Sequence, residues 1–135
     1  MNEYELSARH EAMHAIAFIL LGIRVLRTTI SVDGGGHTEV ILKPEQYGRA
    51  AIALHYPHAM EKGRYFCAER DVPTIVSDKR MMEYVGESDL RALNLVNSCD
   101  MNACLPRVQG ALALYRSLSG DEIKDIMRRC GIRAP

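Results

Sequence analysis

His10-Glu11-Ala12-Met13-His14 sets two imidazoles four residues apart, with a carboxylate directly after the first. On a helix, residues at i and i+4 share a face, so both rings can close on one metal ion. Glu11 then lies beside the metal-facing stripe, in place to take a proton from a metal-activated water and pass it to a leaving amine. This is the chemistry of a zinc peptidase. The bland alternative is a pair of core histidines beside a solvated glutamate.

The motif requires a helix, and the segment from Glu3 to Leu21 contains no Pro or Gly before Gly22, which fits the stop. Leu6, His10, Met13, His14, Ala17 and Leu21 recur at three- and four-residue steps. Both imidazoles are therefore expected on an otherwise apolar stripe, in a buried, low-dielectric site. Downstream, Val25 to Val32 and His37 to Leu42 are β-prone runs flanking Asp33-Gly34-Gly35-Gly36, a strong turn signal, so a hairpin is expected. Pro44 and Glu45 can open a second helix through Leu54, which Pro57 is expected to interrupt or bend. Ser77 fits the cap of a helix from Asp78, carried by Met82, Val85, Leu90, Leu93 and Val96 with a break near Gly86. Pro106 fits the first turn of a helix bearing Val108, Leu112, Leu114, Tyr115 and Leu118. Ser119 and Glu122 have capping-box spacing for a last helix that Gly131 can close. The fold class that follows is mainly α (α+β), with one small antiparallel β-hairpin.

The chain has 135 residues, which suits a single domain over 1–135. Seventeen basic and seventeen acidic side chains cancel, so no overall field favours nucleic acid or an anionic membrane. Cys67, Cys99, Cys104 and Cys130 form no C-x-x-C pair and no signal peptide is seen, so reduced thiols and a cytoplasmic location are expected. Scattered cysteines are most simply small core residues. The longest apolar run, Ala15 to Gly22, is far short of the about 20 residues a membrane span needs.

A hydrolytic zinc site usually takes three protein ligands and leaves one position for water. By chemistry alone the third can be His37, His55, His58, Cys67, Glu69, Asp78, Glu83, Glu87 or Asp89. No H-x-x-G-x-x-H extension follows His14, which argues against the metzincin arrangement.

His10-Glu11-Ala12-Met13-His14-Ala15, the β-prone pair with Gly36-His37-Thr38, the later Gly86-Glu87-Ser88-Asp89-Leu90-Arg91-Ala92 and the ending Leu118-Ser119-Gly120-Asp121-Glu122-Ile123 together resemble the peptidase domain of the FtsH family of ATP-dependent zinc proteases. The resemblance covers most of the chain in the same order, and the first motif is its specific part. It implies a helical zincin-like domain whose third zinc ligand is Asp89, against the ordinary alternative of an acid at a helix N-terminus. Met13 stands where the family usually has glycine, and Ser88 where it usually has asparagine. No G-x-x-x-x-G-K-[ST] nucleotide loop appears in these residues, so ATP-driven unfolding is not expected of them.

The expected activity is that of a zinc-dependent metalloendopeptidase, with His10, His14 and Asp89 holding Zn²⁺ and Glu11 as general base. Its substrates would be short, flexible or unfolded polypeptides, which the strand from His37 to Leu42 can align by edge pairing. His37 is a candidate for stabilising the intermediate, or simply a solvated hairpin residue. A separate ATPase or a regulatory target protein is the expected kind of partner, and a homo-oligomer is left open. The competing readings are a catalytically silent metal-binding or protein-interaction module on the same scaffold, and a metal-free helical interaction protein.

Overall fold

The computed structural model describes residues 2–61, 85–89, 91–92 and 101–133. Helix α1 spans Glu3–Leu20, and its ends are fixed by local chemistry. The Asn2 side chain accepts a hydrogen bond from the Glu5 N–H at 2.8 Å, and Glu3 and Glu5 place negative charge at the positive end of the dipole. At the other end Gly22 takes a left-handed φ of 79°, while the Gly22 and Ile23 amides donate to the Ile19 and Phe18 carbonyls. That pair of bonds is a Schellman closure, which favours a residue without a Cβ at the left-handed position.

Strands β1 (Arg24–Ile30) and β2 (Gly36–Ile41) form the expected antiparallel hairpin. The register steps from Val25↔Val40 to Arg27↔Glu39, so Leu26 is an extra residue on β1. This bulge switches the inward phase of the strand from Val25 to Thr28 and Ile30. Without it, Arg27 would point into the core. A short strand β3 (Ser117–Ser119) adds to the other side of β1, giving the antiparallel order β2-β1-β3. Leu118, expected at the end of a helix, instead pairs with Thr28 in this strand.

A 3₁₀ turn at Pro44–Gln46 leads into α2 (Tyr47–Glu61), and the later helices include α3 (Met101–Tyr115) and α4 (Gly120–Arg129). Pro57 lies inside α2 without interrupting it, and Pro106 lies inside α3 rather than in its first turn. The C-terminal signals are confirmed: Ser119 and Glu122 form the reciprocal capping box, and Gly131, at φ 83°, closes α4. The hydrogen bond from the Ser119 backbone N–H lowers the Glu122 pKa. Ser77 and most of its expected helix, including Met82, Leu90, Leu93 and Val96, lie outside the described residues.

The core is organised around α1, which packs against α2, α3, α4 and the sheet. From Ala15 to Leu21 every residue is buried, so the second half of α1 is apolar all round, as a central helix must be. Cys104 is one of the small buried residues against it. Among the described residues no helix is long and apolar enough to cross a membrane.

The start of α4 lies in close backbone contact with β1. A Cβ built on Gly120 would stand 1.8 Å from the Val25 carbonyl oxygen, whereas one on Gly110, exposed on α3, meets nothing within 4 Å. Gly120→Ala is therefore expected to cost about 3 kcal/mol in urea unfolding. Gly110→Ala should instead stabilise by about 0.5–1 kcal/mol.

Candidate metal centre

His10 and His14 emerge from α1 just before it enters the core, and both residues are half-buried. Their Nε2 atoms converge to 3.0 Å, with ring centroids 4.6 Å apart and planes at 81°. Two nitrogens bound to one tetrahedral ion at about 2.0–2.1 Å would lie about 3.3 Å apart, so the observed pair needs only a small adjustment to bind one. The Nδ1 of His14 lies 3.2 Å from the Ala53 carbonyl oxygen on α2. A carbonyl can only accept, so this contact favours the ring proton on Nδ1 and leaves Nε2 as the nitrogen that could ligate an ion.

Glu11 is the buried member of the trio at 8% exposure, contrary to a reading in which the imidazoles are deep and the acid is solvated. One residue on from His10, it is turned by about 100° around α1 and faces the hairpin. There Thr38 on β2 donates its hydroxyl to Glu11 Oε2 at 2.8 Å. Thr38 Oγ1 lies 3.2 Å from Thr28 Oγ1. The Thr38 proton being committed to Glu11, Thr28 must donate to Thr38, which also satisfies a hydroxyl that is wholly buried. The carboxylate is thus held by a two-hydroxyl relay between directly paired strand residues.

Donor atoms of His10, Glu11 and His14 all lie within 4.8 Å of one another, so the three can hold a metal ion. His10 and Glu11 border a cleft of about 410 Å³ lined also by Leu6, Ser7, Gly34 and Gly36. The Ser7 hydroxyl donates to the Gly34 carbonyl, tying the start of α1 to the hairpin turn. Leu6 is about half exposed at this cleft rather than part of a buried stripe. No local sequence signal marks Thr28, Thr38 or Ala53 as supports, since their roles depend on pairing across elements.

The structure does not bring Asp89 into this group. Its Oδ2 accepts from the Gly86 N–H at 2.9 Å and its Oδ1 lies 3.5 Å from Arg49 Nε. Arg49 in turn donates to the Leu21 carbonyl at 3.1 Å, at the far end of α1. Seven helical residues, roughly 10 Å, separate that end from His14. Asp89 therefore serves here as a helix N-terminal acid that pairs with the guanidinium capping α1. His37 is exposed, pairs with Glu39 at 3.3 Å and points to the strand face opposite Thr38, away from Glu11. Glu87 is exposed and lies 3.7 Å from Arg91. The side chains of His55 and His58 fall outside the described residues, as do Cys67, Glu69, Asp78 and Glu83.

No family model, curated protein or solved structure matches this chain.

Two substitutions probe the construction. A Cβ on Gly36 would sit 2.8 Å from Glu11 Cγ and 3.0 Å from the Thr29 carbonyl oxygen. Gly36→Ala should therefore push the Glu11 side chain off Thr38 and lower stability by about 1–3 kcal/mol in urea unfolding. Asp89→Asn should leave zinc stoichiometry unchanged while costing about 1–3 kcal/mol through the weakened Arg49 contact. Loss of zinc with unchanged stability would instead make Asp89 a ligand.

Proposed function

We propose that the chain is a zinc-dependent peptidase in which His10 and His14 hold the ion and Glu11 is the general base. The observation that carries this reading is the convergence of two imidazole Nε2 atoms at 3.0 Å, beside a buried carboxylate that opens onto a cleft. When bound, Zn²⁺ supplies a Lewis acid for the peptide carbonyl and acidifies a water. Thr38 occupies Oε2 of Glu11, which leaves Oε1 to receive the proton of the attacking water and to return it to the amine nitrogen as the C–N bond breaks.

The sheet supplies a place for the substrate backbone. Among the described residues β2 pairs only with β1, so its outer edge presents amides and carbonyls beside the cleft. An extended peptide can add there as a further strand, which brings its carbonyls past Glu11. Edge pairing selects chains that are already extended: short peptides, flexible tails and unfolded segments. A folded protein would have to be presented by a separate ATPase or be cut at an exposed loop. The order of the motifs, which resembles that of FtsH-type peptidase domains, agrees with this assignment.

A second reading has its own support. The Glu11 carboxylate is close enough to both rings to be a third ligand, which would make the domain a metal-binding module without turnover. The two readings separate on Glu11→Gln, assayed by elemental analysis and by cleavage of an unstructured peptide. As general base, Glu11→Gln should retain near-stoichiometric zinc and lose about 10²- to 10⁴-fold in kcat, whereas His14→Ala should lose the zinc. Zinc lost from Glu11→Gln would favour the module, and unaltered cleavage would remove Glu11 from the chemistry.

A further inference from the structure

Pro57 stands inside α2 with no end to the helix, at a place where a proline interior to a helix costs about 3 kcal/mol relative to alanine. A proline has no N–H to donate, so the carbonyl four residues earlier loses its helical partner, and the pyrrolidine ring pushes that carbonyl outward. Four residues before Pro57 is Ala53. The Ala53 carbonyl is the group that lies 3.2 Å from His14 Nδ1.

We propose that Pro57 is a positioning residue for the metal centre: it frees the Ala53 carbonyl from α2 so that this oxygen fixes the ring orientation and tautomer of His14. No contact between Pro57 and the imidazole is needed. With an alanine at 57, the restored amide would claim the Ala53 oxygen and draw it back toward the helix axis. His14 would then lose the acceptor that keeps the proton on Nδ1 and presents Nε2 to His10. Pro57 and Ala53 are both buried, so water does not readily replace the lost acceptor.

This inference rests on the zinc reading, but it has a signature of its own. Pro57→Ala should make α2 a better helix and leave thermal stability equal or higher, while weakening zinc binding. A merely structural proline would move stability alone. Zinc affinity is measured by competition with a chromophoric chelator on the parent chain, Pro57→Ala, and Pro106→Ala as a control for removing a proline from inside a different helix. The expected result is a Kd weakened about 10- to 100-fold in Pro57→Ala, the range for losing an outer-shell partner of a ligating histidine, and an unchanged Kd in Pro106→Ala. Imidazole ¹⁵N shifts of the metal-free proteins give a second reading: His14 protonated on Nδ1 in the parent, and a mixture of tautomers in Pro57→Ala. Equal zinc affinity and an unchanged His14 tautomer in Pro57→Ala would overturn the proposal. A parent chain that binds no zinc would defeat the metal reading, while the tautomer comparison would still decide the role of Pro57.

Discussion

The constraint on which the site depends is the orientation of two imidazoles four residues apart on a helix that cannot shift. Helical spacing alone puts His10 and His14 on one side of α1, but each ring can still rotate about two torsions. What turns spacing into a binding geometry is the acceptor on α2, which holds His14 Nδ1 and directs Nε2 toward His10. The helix itself is immobilised by a capped start, a Schellman end and a buried second half. A ring on a frayed or exposed helix would spend most of the binding free energy on being ordered.

The fold gives the two sides of α1 different work. On the α2 side a backbone carbonyl meets an imidazole. On the hairpin side the Thr38 hydroxyl, backed by that of Thr28, meets a carboxylate. The bulge at Leu26 is what makes the second arrangement available, because it brings Thr28 inward opposite Thr38 while keeping Arg27 out. Gly36 then lets β2 come close enough for Thr38 to reach Glu11. Two residues adjacent in sequence, His10 and Glu11, are thereby given separate surroundings, which suits one for holding an ion and the other for moving a proton.

Much of this was legible in the sequence where a single element carries the signal. The extent of α1, the glycine-rich hairpin turn and the Ser119–Glu122 capping box follow from local chemistry, and the structure has them. What was not legible depends on partners far along the chain. Ser117–Ser119 is too short to read as a strand and becomes one only because β1 has a side to pair with. Pro57 reads as a helix break or bend and Pro106 as a helix start because local propensity weighs against proline further in, and tertiary packing carries both helices through. The exposure of Leu6 departs from the expected buried stripe, and the burial of Glu11 excludes the solvated-acid alternative, since periodicity ranks faces without saying which neighbour covers them. Asp89 has a helix-start context that fits either ligation or capping, and its Arg49 and Gly86 contacts favour capping.

The central claim is that one divalent ion is held by both imidazoles of α1. X-ray absorption at the zinc edge of the stoichiometrically loaded protein tests it most directly. The account predicts a shell containing two imidazole nitrogens at about 2.0–2.1 Å, which falls to one in a His10→Ala variant. A shell without paired histidine scattering, or one that His10→Ala leaves unchanged, would contradict it.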